Sequence, residues 1–191
     1  QRQQKGERVL VAAARPGSGD VAHILSRLNQ IPLALDGGLD VEGILARRPD
    51  LVVVDDLHAA NPAGSRHPRR YQDIQELLEN GLAVFSALDI QHLDSLVDDV
   101  FTITAYRELL SIPDAVVDTA SVIELVDLPP EDLLQRYRAG QVSAPELTSA
   151  TADSFFLPGN LTALRELALR RAAGRVDEQM RAYMRAKHIA G

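Results

Sequence analysis

Apolar residues fall along this chain in two rhythms. Near-continuous short runs, Val9 to Ala14, Leu51 to Val54, Leu82 to Leu88 and Val122 to Val126, predict strands buried on both faces, and Ile31 to Leu35 predicts a weaker one. Between them apolar positions recur at steps of three and four. Arg70 to Leu78 places Ile74, Leu77 and Leu78 on one face and stops at Asn80-Gly81. Ile90 to Val100 sets Leu93, Leu96, Val97 and Val100 at helical spacing, and Val41 to Arg47 predicts a short helix closing before Pro49. Strand, helix and strand in this order imply an α/β fold, a mostly parallel sheet flanked by helices with right-handed crossovers.

After Val126 the pattern changes. Leu128-Pro129-Pro130-Glu131 opens a helix with proline in its first turn, and Gly140 closes it. Asn160 is placed to cap a long final helix with an apolar stripe of Leu161, Leu164, Ala168, Ala172, Val176, Met180 and Tyr183. The expected organisation is an α/β domain over residues 1–127 and a helical C-terminal segment, a connector helix included, over 128–191.

Charge divides the same way. Twenty Lys and Arg against 27 Asp and Glu give −7 over 191 residues, yet the stretch from Asn160 to Gly191 is +4 and the remainder −11. Such an acidic body argues against a nucleic-acid partner. No run approaches the roughly 20 apolar residues of a membrane span, and the absence of cysteine excludes a disulfide scaffold, so a cytoplasmic setting is expected.

Three segments could carry chemistry. Ala14-Arg15-Pro16-Gly17-Ser18-Gly19-Asp20-Val21 lies between a strand and a helical pattern, where glycines let backbone N–H groups converge on an anion. Its spacing matches a Walker A loop, but Asp20 stands at the lysine position and Val21 at the magnesium-ligating hydroxyl. The alternative is a plain strand-to-helix turn in which Asp20 is favoured by the helix dipole. Leu51 to Asp56 delivers two carboxylates at a strand end, where Asp55 could hold Mg²⁺ if a nucleotide binds and Asp56 could stand near an attacking water. Arg66, His67, Arg69 and Arg70, in a loop following Asn61-Pro62, could meet phosphate or a partner's carboxylates, or form a solvated basic loop. Beyond His92 and its acidic neighbours Asp89 and Asp94, His67 and His92 belong to no set with metal-ligand spacing and metal binding is not expected, and neither Ser65 nor Ser86 sits in a nucleophile elbow. No catalytic residue is expected.

Read together, several blocks resemble the N-terminal domain of the KdpD family, sensor histidine kinases of potassium uptake. They are Leu51 to Asp56, Asn61 with Gly64 to Leu78, Leu88 to Leu96, Glu124 to Glu131, and Gly159 to Arg171, spread from Val9 to about Tyr183. The resemblance implies a P-loop-type α/β domain that binds ATP with magnesium and regulates a kinase transmitter module, in cis or in trans, alongside other sensor domains. It implies a cytosolic part of, or partner to, an inner-membrane sensor of potassium or turgor. No phosphoacceptor helix or kinase module fits into 191 residues, so the kinase activity is expected of the family and not of this polypeptide.

Three departures stand out. The family's loop ends Gly-Lys-Thr or Gly-Lys-Ser where this chain has Gly19-Asp20-Val21. Residues 20–40 are shorter than usual, and the Asp-Glu-Leu-Ala-His-Thr-Asn pattern reads Asp55-Asp56-Leu57-His58-Ala59-Ala60-Asn61. The resulting expectation is a regulatory domain with a degenerate nucleotide site at Gly17, Ser18, Gly19, Asp20, Asp55 and Asp56 and no ATPase activity. Two other readings stay open: a retained ATP-binding domain, with Arg15 or Arg69 replacing the lysine, and an interaction module that forms homodimers through the basic terminal helix.

Overall fold

The computed structural model describes residues 7–13, 29–30, 38–142 and 149–186. The glycine-rich segment from Ala14 to Val21, with Gly17, Ser18, Gly19 and Asp20, lies outside them, as does the strand expected at Ile31 to Leu35. The chain forms two compact units, Gln1–Asp89 and Ile90–Gly191.

The first unit is built on a parallel sheet in the order β2-β1-β3-β4, with β1 Val9–Ala13, β2 Asn29–Gln30, β3 Leu51–Val54 and β4 Val84–Ser86. Leu10 pairs with Asn29 on one side and with Val52 on the other, and Val53 pairs with Phe85. Val9, Leu10, Val11, Leu51, Val52 and Val54 are all buried, as their unbroken apolar runs require of strands covered on both faces. Leucines 82 and 88 fall outside β4, which is shorter than the run suggested.

Helix α1, Val41–Arg47, has the bounds its pattern predicts. Asp40 caps it, Oδ1 accepting from the Gly43 amide at 2.9 Å. A Cβ on Gly43 would stand 2.0 Å from Asp40 Oδ2, so the capping carboxylate requires glycine there. Helix α2, Arg70–Glu79, buries Ile74 and Leu77 and packs against α1 and β4. It stops where the Asn80 side-chain amide donates to Glu76 O at 2.9 Å and Gly81 turns to φ +80°.

In the second unit the helix expected from Ile90 to Val100 is replaced. Two 3₁₀ turns, Ile90–His92 and Asp94–Leu96, precede helix α3, Val97–Thr104. The backbone is drawn from its helical path by a bridge to Ile112, whose N–H donates to His92 O at 2.7 Å and whose carbonyl accepts from Asp94 N at 3.0 Å. After α4, Asp114–Asp118, comes a correction: Val122 to Val126 is not a strand. Residues 122–129 have no regular structure, and Val122 and Val126 are 71% and 85% exposed. Glu124 explains part of this, because a strand covered on both faces would bury its charge.

Helix α5, Pro130–Arg138, starts with proline in its first turn and ends before Gly140 at φ +68°, as predicted. Helices α6, Ser149–Phe155, and α7, Pro158–Ala186, complete the unit. Asn160 is inside the first turn of α7 rather than capping it, and its amide donates to Ser154 O at 2.8 Å. The core gathers Val100, Ala152, Phe155, Phe156, Leu161 and Leu164, with Tyr137 stacked on Phe156 at 3.8 Å between ring centroids. The predicted stripe is buried at Leu161 and Leu164 and surfaces by Met180, which is 56% exposed.

Candidate functional site

Strand β3 lies between β1 and β4, so both its hydrogen-bonding edges are used and the residues after Val54 emerge from the middle of the sheet. Ala13, the last residue of β1, pairs with Val54, immediately before Asp55. The order reverses between β1 and β3, and in open parallel sheets the crevice at the carboxyl ends beside such a switch point is where ligands bind.

The chain turns sharply at this end. Asp55 Oδ1 accepts from the Asp56 amide at 2.9 Å, and Asp56 takes the left-handed conformation at φ +55°, which costs a non-glycine residue about 1–2 kcal/mol. Leu57 then enters the core, its N–H reaching Ala87 O at 3.3 Å. A cavity of about 130 Å³ opens there, lined by Asp55, Asp56, His58, Ala87, Leu88 and Asp89. Among the described residues that line it, three are carboxylates and none is a lysine or arginine.

The loop that follows is folded back on itself. Ala60 and Arg69 form an antiparallel bridge, and Asn61 N donates to Pro68 O at 2.9 Å. Its base is fixed to α2 through Asp73, which is 2% exposed and accepts from Asn61 Nδ2 at 2.6 Å while its other oxygen meets His67 Nδ1 at 2.8 Å. A buried carboxylate is tolerated because both oxygens are matched by neighbouring side chains.

The four basic residues of this loop separate into two pairs. Arg70 Nη1 donates to Asp55 O at 3.2 Å and stands 3.9 Å from Asp56 Oδ2, and Arg69 Nη2 donates to His58 O at 3.1 Å. This pair belongs to the strand-end site. Arg66 and His67 face the other way. Arg66 bridges Glu42 at 3.3 Å and Glu76 at 2.5 Å, and His67 Nε2 is 3.7 Å from Glu76 Oε2. They line an open polar groove of about 530 Å³ with Gln72, Gln75, Glu76, Glu79 and Asn80. The structure thus joins Asp55, Asp56, Arg69 and Arg70, and sets Arg66 and His67 apart.

Sequence reasoning passed over Asp73 and took Asp89 only as an acidic neighbour of His92. Asp73 had a readable signal, a charge beside Ile74 and Leu77 on the apolar face of α2. His92 is also not an isolated residue. It is 2% exposed, with Nδ1 3.1 Å from Leu110 O and 3.3 Å from Glu108 Oε2, and Tyr106 OH donates to that same oxygen at 3.1 Å. Among the described residues no group of three or more His, Cys, Asp or Glu could hold a metal ion, and no helix is long and apolar enough to cross a membrane.

Comparison with known proteins places these features in context. A family profile described as KdpD, osmosensitive K⁺ channel His kinase sensor domain, matches residues 1–176. The chain is 46% identical over 174 residues to the sensor protein KdpD of Escherichia coli (strain K12), covering 87% of this chain and 20% of that protein. It is 41% identical over 176 residues to the sensor protein KdpD of Mycobacterium tuberculosis (strain H37Rv), covering 88% and 20%. A putative sensor protein KdpD of Synechocystis (strain PCC 6803) is 38% identical over 152 residues, 80% of this chain and 41% of that one. The chain therefore spans about a fifth of the length of the first two relatives.

Proposed function

The chain belongs to the KdpD family of osmosensitive K⁺ channel histidine kinase sensor domains, and from that premise we propose that it is a regulatory input domain whose nucleotide site is degenerate. In this reading it acts in potassium or turgor signalling on the cytoplasmic side. It biases a histidine kinase transmitter, joined to it or supplied by another chain, without hydrolysing ATP.

The observation that carries the reading is the acidic lining of the strand-end cavity. A nucleotide's phosphates would face Asp55, Asp56 and Asp89. Among the described residues, Arg69 and Arg70 beside this site engage the protein itself, Arg70 at Asp55 O and Asp56, Arg69 at His58 O. The lysine that would offset these charges in a Walker A loop is Asp20 in this sequence. In a Walker A loop that position meets the phosphates, and a carboxylate there would oppose binding by several kcal/mol at about 4 Å and an effective dielectric near 20.

One observation favours the alternative of a retained ATP-binding domain, with Gly17, Ser18 and Gly19 as the phosphate cradle. Asp55 follows directly on the β1–β3 switch point, where a magnesium-holding carboxylate belongs. The two readings separate in a thermal-shift titration of the unmodified chain and of Asp20→Lys with Mg-ATP. A ligand at a hundred times its Kd stabilises by about 2.7 kcal/mol, so a site of ~10 μM would be conspicuous at ~1 mM. The degenerate reading expects no shift for the unmodified chain and a gain for Asp20→Lys. A shift in the unmodified chain that Asp55→Ala abolishes supports the alternative.

A further inference from the structure

We propose that Val122–Val126 is a docking strand for an extended apolar segment of another protein, one that carries a single lysine or arginine at its centre. This goes beyond the nucleotide-site reading and does not depend on it. Four of its five side chains are large, apolar and exposed: Val122 71%, Ile123 41%, Leu125 41% and Val126 85%. Among the described residues no backbone group of residues 122–128 is hydrogen-bonded. Such a stretch offers free main-chain donors and acceptors, and paired as a strand it would set Val122, Glu124 and Val126 on one face and Ile123 and Leu125 on the other.

The segment is held in place rather than left loose. At its start Arg175 donates to Asp118 O and to Ala120 O, and Arg171 pairs with Asp118 at 2.6 Å. At its end Arg165 grips Asp127 through two bonds at 2.5 and 2.6 Å. The three arginines lie along α7, and the Pro129-Pro130 step follows at once. Fixing both ends before a partner arrives lowers the ordering cost of pairing.

Charge selects the partner. From Asp118 to Asp132 the sequence holds five acidic residues and no basic one. Asp118 and Asp127 are engaged by α7, whereas Glu124, at the centre of the apolar run, is exposed. A cation placed opposite Glu124 gains a cross-strand pair. A second copy of this chain, paired antiparallel about Glu124, would set two glutamates against each other, so self-pairing is disfavoured.

The test uses the full chain and short blocked peptides. One is valine-rich with a single central lysine, a second replaces that lysine with glutamate, and a third carries proline beside the lysine. Hydrogen exchange is followed at residues 122–128. The lysine peptide is expected to slow exchange there at least about tenfold, with the other two without effect. Glu124→Lys, at an exposed site, keeps the fold and is expected to reverse the preference between lysine and glutamate peptides. The proposal is overturned if the lysine peptide slows nothing, if both charged peptides act alike, or if the charge swap leaves the preference unchanged. A mass of two copies by light scattering, with 122–128 protected in the absence of peptide, would also overturn it in favour of self-pairing.

Discussion

Leu51–Asp56 and Val122–Asp127 are nearly the same phrase in sequence, an apolar run closing on aspartate, and the structure treats them in opposite ways. Val52 is 0% exposed and Val126 is 85% exposed. The first run pairs on both sides, with β1 and β4, and delivers Asp55 and Asp56 to a cavity at the sheet's carboxyl end. The second pairs with nothing among the described residues and delivers Asp127 to an ion pair with Arg165. The difference lies in the neighbours. A parallel strand exists only where flanking strands take its hydrogen bonds and both faces are covered, and Glu124 makes full covering costly for the second run.

The sharpest way to break this comparison is to charge both runs. Val52→Asp puts an unpaired carboxylate at a fully buried position and is expected to cost about 4 kcal/mol or more, most of a small domain's stability. Val122→Asp is expected to stay within about 0.5 kcal/mol. Urea denaturation of the two variants checks this, and equal costs would mean that the second run is buried in solution.

A smaller effect separates the anchored loop from the exposed segment. Asp73→Ala removes the partner of His67 Nδ1 and one of the two acceptors of Asn61 Nδ2, the other being His67 O, a loss of about 2–3 kcal/mol. Exchange at residues 61–69 is expected to accelerate while residues 122–128 are unaffected; if the loop keeps its protection, Asp73 is not its anchor.

The smallest effect concerns Asp127. The hydrogen bond from Arg165 holds its carboxyl below the usual range, against opposing desolvation, with the guanidinium charge assisting. Its folded pKa being lower than the unfolded value of about 3.9, the link is complete above that pH and is lost as pH falls through the lowered value. Both side chains are well exposed, so the effect on stability is slight. An NMR titration of the Asp127 carboxyl is expected to show the depressed pKa, returning toward the ordinary range in Arg165→Gln.

How much of this was legible depended on whether neighbours decided the outcome. Local signals were enough for α1, where Asp40 caps and Gly43 accommodates the cap, and for the stop at Asn80-Gly81. The continuous apolar residues of Leu51–Val54 were enough for β3. Local signals failed at Ile90–Val100, because the bridge between Leu93 and Ile112 pulls the backbone out of a helix whose periodicity was sound. They failed at Val122–Val126, where an apolar run has no flanking strand. At the site, Asp55 and Asp56 were readable from their place at a strand end. The division of Arg66 and His67 from Arg69 and Arg70 was not, since it depends on the loop folding back on Asp73. The Asp20 substitution was visible from spacing alone, and it carries much of the functional reading.

Isothermal calorimetry of the unmodified chain with Mg-ATP tests the central claim most directly. The account predicts no saturable heat at nucleotide concentrations up to about 1 mM, and saturable binding in Asp20→Lys under the same conditions. Saturable binding by the unmodified chain at sub-millimolar Kd, lost in Asp55→Ala, would contradict it.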